Sequence, residues 1–304
     1  MSIVVAGSIN VDFILRVTAL PRPNETITGH DMAVAIGGKG LNQAVACARL
    51  GTPTRMIAAV GEDSFAGQAT GYLTTNGVDT ADVRALPGVA TGVANIFVAA
   101  DGQNMIVVTP GANARLTPAM IDAAEATIAG AQALVVQLET PLDTVRRALE
   151  VARKHDVMTV LNPAPVQPGA RDLFGLADLV TPNETELAVL TGIEGLDDAS
   201  LTRGLQALLA FGAKRAVVTL GSQGSATLID GVLHRVPAFV VKAVDATGAG
   251  DHFNGALVSR LVAGGDLLAA MRYASAASAL SVTRASADSA ATKAEVEAFL
   301  ASYL

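Results

Sequence analysis

Asp251 follows Gly248-Ala249-Gly250 and precedes Phe253-Asn254-Gly255-Ala256-Leu257, so a glycine-punctuated turn hands over to helix-forming residues with a carboxylate in the first turn. The first backbone N–H groups of a helix lack intrahelical partners, and the helix dipole adds roughly half a positive charge at that end. Such an end binds anions, and Gly248 and Gly250 let a phosphate approach the amides closely. A carboxylate beside a phosphate repels it. The arrangement makes chemical sense if Asp251 takes a proton from a hydroxyl that attacks phosphorus. Capping the helix is the plainer use of the same residue. The apolar run Phe239 to Val244, ahead of Asp245-Ala246-Thr247, reads as an extended segment feeding this turn.

Other polar residues stand where ligands are usually met. Ile3 to Ala6 reads as a buried strand, and Asn10 and Asp12 beyond it share one face of an extended backbone, offering a donor and acceptors suited to sugar hydroxyls. They serve equally well as turn residues. Gly37-Gly38-Lys39-Gly40-Leu41-Asn42-Gln43-Ala44 leads into a helix ending near Gly51. It is not a Walker A loop, because Gly40 follows Lys39 where Ser or Thr is required. Its glycines bring backbone close to a ligand, with Lys39 and Asn42 as polar contacts. Asn183 and Glu186, three apart at a helix start, suit hydrated Mg²⁺ near phosphates and equally suit a capping box. Gly221-Ser222-Gln223-Gly224, after the strand Ala216 to Leu220, is a tight turn fit to receive a nucleotide.

These residues need a scaffold. From Ile57 onward strands such as Leu134 to Leu138, Val157 to Leu161 and Leu179-Val180 alternate with helices, the pattern of a mostly parallel sheet covered on both faces. Phe13 to Ile36 and Thr91 to Thr109 depart from it. Thr26, Ile27 and Thr28 alternate like a strand, and Val93 to Ala99 and Met105 to Val108 flank the hairpin signal Asp101-Gly102. The two regions are expected to join as a small β-sheet lid whose apolar outer face pairs with a second subunit. With 304 residues, the expectation is one large domain with this small accessory piece.

A chain 51% hydrophobic and 16% charged is well buried, and a net charge of -7 without a basic cluster or aromatic platform argues against nucleic acid and anionic membranes. No apolar stretch is long enough to span a membrane, and no secretory leader is evident. Cys47 is the only cysteine, which excludes an internal disulfide and fits a reducing compartment, so a cytoplasmic location is expected. His30, His155, His234 and His252 lack metal-ligand spacing.

Assembled, the motifs resemble those of the ribokinase-like (PfkB-type) carbohydrate kinase family, from about Ile3 to Leu304. Gly37 through Gly61 resembles the family's N-terminal signature and Asp245 through Leu257 its C-terminal one. Gly-Ser-Ile-Asn-x-Asp, Asn-Pro-Ala-Pro and Thr-Pro-Asn-Glu-Thr-Glu add to the likeness. The resemblance implies a Rossmann-like α/β fold with a β-sheet lid, dimeric through that lid, which transfers the γ-phosphoryl of Mg²⁺-ATP to the 5-hydroxyl of D-ribose. Carried over residue by residue, it makes Asp251 the catalytic base and Gly248, Ala249 and Gly250 the anion hole. It makes Asn10, Asp12, Gly38, Lys39, Asn42 and Glu139 the sugar contacts, together with Asp251. It gives ATP to Asn183, Thr219, Gly221, Ser222, Gly224, Gly250 and Ser275, and the Mg²⁺ region to Glu186. An activating K⁺ would fall to Asp245, Thr247, Ser281, Arg284 and Ser286. Two departures stand out. Ala246 replaces the usual Thr of the C-terminal signature, and Ala290 stands where the cation loop usually carries a hydroxyl, so K⁺ activation is expected to be weakened or altered, with Asp288 as a substitute ligand. The alternatives are a kinase of another small sugar or nucleoside, such as 2-deoxyribose or fructose, and a non-catalytic sugar-binding regulator.

Overall fold

The structure is a computed structural model that describes residues 2–284 and 289–303. In chain order its strands are β1 (Ile3–Ala6), β2 (Asn10–Val17), β3 (Asp31–Gly37), β4 (Thr54–Gly61), β5 (Val78–Leu86), β6 (Gly92–Ala99) and β7 (Asn104–Thr109). Then come β8 (Ala133–Val136), β9 (Met158–Leu161), β10 (Leu179–Val180), β11 (Arg215–Thr219), β12 (Ser225–Ile229) and β13 (Val232–Val236). The helices are α1 (Lys39–Arg49), α2 (Ser64–Thr75), α3 (Pro118–Ala123), α4 (Glu125–Ala129) and α5 (Leu142–Lys154). They continue with α6 (Glu184–Thr191), α7 (Asp198–Ala210), α8 (Ala249–Val262), α9 (Leu267–Ser281) and α10 (Lys293–Ala301).

The larger sheet runs β13-β12-β11-β10-β9-β8-β1-β4-β5, parallel from β11 to β5 and antiparallel at β12 and β13. Alternate side chains of β1 divide between two cores. Ile3 and Val5 pack with Leu41, Phe253, Leu257 and Met271 from α1, α8 and α9, while Val4 and Ala6 pack with Ile121, Leu149 and Leu205 from α3, α5 and α7. A strand covered on both faces has no use for alternating polarity, which is why these strands read as unbroken apolar runs. No helix among the described residues is long and apolar enough to cross a membrane.

The second sheet, β3-β2-β6-β7, starts three residues after β1 ends. β2 lies antiparallel to β3 and parallel to β6, and β6 turns through Asp101-Gly102 into β7 as expected. The expected strand at Thr26 to Thr28 does not form. Arg16 and Asn10 of β2 register instead with Asp31 and Gly37, and the stretch between β2 and β3 carries Pro21 and Pro23, which lack the N–H a ladder needs. Phe239 to Val244, read as an extended segment, runs without strand pairing after β13, with Val240 91% exposed.

Candidate active site

The parallel strands deliver their polar successors to one edge of the sheet. β1 runs into Ser8, β8 into Gln137 and Glu139, β9 into Asn162, β10 into Thr181 and Asn183, and β11 into Gly221. Residues past a strand's carboxyl end are released from core packing, so this edge is where an open parallel sheet can hold a ligand. Leu41 N donates to Ser8 O at 3.0 Å, which docks the start of α1 over the same edge.

On one side of this edge four charged groups gather. Glu139 accepts from Ser8 Oγ and, at 3.0 Å, from Lys39 N. Asp12 sits on β2 between Ala35 and Ala94, and Asn10 between Gly37 and Gly92. A Cβ on Gly92 would fall 2.4 Å from Asn10 Oδ1 and 2.9 Å from the Ile9 carbonyl, and one on Gly37 would displace Asp12 Oδ2, 2.3 Å away. Burial, reinforced by the Glu139 and Asp251 carboxylates, pushes the Asp12 carboxyl up to about 6. Burial would lower the Lys39 ammonium, yet the carboxylates of Asp251, Glu139 and Glu186 outweigh it and hold it above its ordinary value. Asp251 lies in the first turn of α8 and is buried; Asn42 Nδ2 donates to its Oδ2 at 3.1 Å and Gln43 Nε2 to its Oδ1 at 2.9 Å. Gly248, at φ 74°, precedes the helix and no side chain caps it; of the first amides, that of Ala249 turns back to Ala246 O at 3.2 Å.

Two cavities meet at Thr219, Ala246, Ala249 and Gly250. The polar one, of about 160 Å³, is bounded by Lys39, Asn183, Glu186, Asp251 and Asn254. The larger, of about 440 Å³, is mostly apolar and includes Phe239, Val240, Ala279 and Val282 beside Gly221, Ser222, Gly224 and Ser275. Every residue expected to contact ATP therefore lines one cavity or the other. The sugar-contact candidates Asn10, Asp12, Gly38, Asn42 and Glu139 gather around Lys39 and Asp251, just outside the polar cavity.

Asn183 and Glu186 do form the capping box of α6: Asn183 N donates to Glu186 Oε2 and Glu186 N to Asn183 Oδ1, both at 2.8 Å. Glu186 nevertheless lines the polar cavity, where burial raises its carboxyl. Thr181 Oγ1 and Asn254 Oδ1 are buried on the same wall with no hydrogen-bond partner. Hard oxygen donors left unsatisfied next to a carboxylate fit Mg²⁺ or its hydration shell. The described residues contain no cluster of three or more His, Cys, Asp or Glu side chains that would hold a metal unaided.

Of the cation candidates, Asp245 is drawn against the end of α9, because Val244 N and Asp245 N both donate to Val282 O, at 2.7 and 3.1 Å. Asp245 Oδ1 accepts from Thr247 N, Ser281 Oγ donates to Ser278 O, and Arg284 is ion-paired with Glu295. Ser286 and Asp288 lie outside the described residues. Ala290 is buried and supplies no hydroxyl.

Sequence reasoning did not single out Gln43, Asn113, Thr181 or Asn254. Asn113 clamps the start of β2, accepting from Ile9 N and donating to Ile9 O and Asn10 Oδ1, all within 2.9 Å. For Gln43 there was a signal: it is a polar residue on the buried face of α1, between Leu41 and Cys47.

This chain belongs to the pfkB family of carbohydrate kinases, which residues 1–294 match. Among its relatives are a ribokinase of Haemophilus influenzae, 39% identical over 288 residues that cover 95% of this chain and 94% of that one, and a deoxyribokinase of Salmonella typhi, 38% identical over 93% of each. The structure of Arabidopsis thaliana ribokinase complexed with ribose and ATP superimposes with a TM-score of 0.90 at 30% identity, covering 98% of both chains.

Proposed function

We propose that this carbohydrate kinase transfers the γ-phosphoryl group of ATP to the 5-hydroxyl of D-ribose, with Asp251 as the base. The observation that carries the reading is the seating of Asp251 between an uncapped helix start and the Lys39, Asp12 and Glu139 cluster, where the nucleotide and sugar sides meet. The likeness to ribokinases over nearly the whole chain supports ribose as the sugar.

Phosphoryl transfer asks a protein mainly to position and to stabilise charge. The apolar cavity takes the nucleoside, and the polar cavity takes the phosphates against the amides of Gly248, Ala249 and Gly250. Asn10, Asp12, Lys39, Asn42 and Glu139 hold the sugar hydroxyls so that the attacking one meets Asp251, which accepts its proton. Mg²⁺, near Glu186 and the oxygens of Thr181 and Asn254, supplies charge neutralisation on the phosphates when bound. The small sheet acts as a lid that keeps water from competing with the sugar. Its exposed Met32, Val34, Ile106 and Val108 support pairing with a second copy, and the single thiol of Cys47 suits the cytoplasm. A weakened response to K⁺ accompanies the loss of a hydroxyl at Ala290.

The test is ADP formation from Mg²⁺-ATP with D-ribose, 2-deoxyribose, fructose and nucleosides, with and without K⁺. A preference for ribose is expected. A preference for 2-deoxyribose would move the chain to its deoxyribokinase relatives, and binding without any turnover would leave a sugar-binding regulator.

A further inference from the structure

Behind Asp251 lies a chain of buried amides. Gln43 is completely buried, Gln137 is 1% exposed and Asn162 6%. Gln43 Nε2 donates to Asp251 Oδ1 at 2.9 Å and to Asn162 Oδ1 at 3.1 Å, and Gln43 Oε1 accepts from Gln137 Nε2 at 2.7 Å. Asn162 Nδ2 donates in turn to Thr181 O at 2.9 Å.

The direction of this chain is forced by its ends. A backbone carbonyl only accepts, so Asn162 must turn its NH₂ to Thr181 and its oxygen to Gln43. An ionised carboxylate only accepts as well, so both neighbours of Gln43 Nε2 are acceptors and its oxygen is left for Gln137. Flipping the Gln43 amide would set oxygen against oxygen at Asp251 and NH₂ against NH₂ at Gln137. Asp251 Oδ1 is thereby turned to a closed wall. Oδ2, on the side of half-buried Asn42, keeps a lone pair for an incoming proton.

We infer that Gln43 is a positioning residue for Asp251: its amide, oriented by Gln137 and Asn162, holds Oδ1 so that Oδ2 is the oxygen presented to the sugar hydroxyl. The inference rests on the sugar-kinase reading. The charged groups that act on Asp251 are Asp12 of β2, Lys39 of α1 and Glu186 of α6, and Gln43 is a neutral donor set among them.

Gln43→Met keeps length and removes both donors. Its kcat for ribose-dependent ADP formation falls about 10- to 100-fold with the sugar KM within about threefold, because orientation rather than binding is lost. Gln137→Met leaves both donors of Gln43 in place but removes the partner of its Oε1, so the amide is held less firmly and kcat falls by less, again with the sugar KM within about threefold. Thermal unfolding and nucleotide binding establish that each variant is folded. Wild-type kcat in folded Gln43→Met, or a kcat loss matched by an equal rise in the sugar KM, overturns the inference; if that variant does not fold, the same result in Gln137→Met overturns it. An inactive wild-type enzyme instead removes the kinase reading on which the inference rests.

Discussion

Asp12, Lys39, Glu139 and Asp251 crowd three carboxylates around one ammonium on the proposed sugar side of the cleft, whereas the cavity proposed for the nucleotide is walled by Phe239, Val240, Ala279, Val282 and glycine backbone. One side recognises by directional polar groups, and the other by shape. A polyol offers little apolar surface and must be held hydroxyl by hydroxyl, while a nucleoside base fills an apolar slot with few polar contacts. The polar solution is strained before any ligand arrives, as the raised Asp12 carboxyl records. The apolar one is not.

Asp251→Asn tests where the chemistry sits. It should lower kcat by about 10²- to 10⁴-fold, roughly 3 to 5 kcal/mol at the barrier, with nucleotide and sugar KM values nearly unchanged. Steady-state kinetics with both substrates varied would measure this. Near-native turnover would mean that the carboxylate only tops the helix, and the contrast between the two sides would lose its chemical meaning.

Asp12→Asn tests the strain itself. The carboxyl's ordinary value is 3.8 and its folded value about 6, so the folded state holds this proton more tightly than the unfolded chain. The resulting penalty is absent below pH 3.8, grows up to about pH 6 and is full above it. The variant should therefore gain up to about 3 kcal/mol at pH 7 and nothing at pH 3.5, while its sugar KM rises. Denaturant unfolding across that range measures the gain. A variant that binds sugar poorly without becoming more stable would show that the carboxylate is not strained.

Much of this division was legible in the residues. Glycine and proline punctuation placed the ends of β1, β9 and β10, and those of β8 and β11 to within two residues, and the polar residues just past them were natural candidates. Local strand patterning failed at Thr26 to Thr28, because a strand needs a partner and no local rule supplies one. The amides of Gln43 and Asn113 escaped for a related reason. Each acts through a residue about a hundred or more positions away, Asp251 and Ile9, and no spacing in the sequence encodes such a pair.

The nucleotide side should answer to volume alone. Ala279→Leu would intrude into the apolar cavity and raise the nucleotide KM about tenfold, roughly 1.4 kcal/mol, leaving the sugar KM and the kcat at saturating ATP in place. Substrate titrations of this variant read the comparison directly: an equal rise in the sugar KM would show that the two sides are not independent.

His252 asks whether ionisable strain is confined to the cleft, since it adjoins Asp251 in α8 but is buried against Ser289, whose Oγ lies 2.8 Å from its Nε2. Burial first, and then the Arg49 charge, push its imidazole from 6.5 down to about 4. Folded His252 thus stays neutral where the unfolded chain would protonate, so the stability it confers is full above pH 6.5 and is lost as pH falls toward 4. His252→Asn should give up only about 1 kcal/mol at pH 7, the worth of one buried hydrogen bond, and should lose less than the wild type between pH 6.5 and 4. Parallel unfolding curves for the two proteins across that window would mean the imidazole is not held neutral. Strain from buried charge would then belong to the cleft carboxylates Asp12 and Glu186.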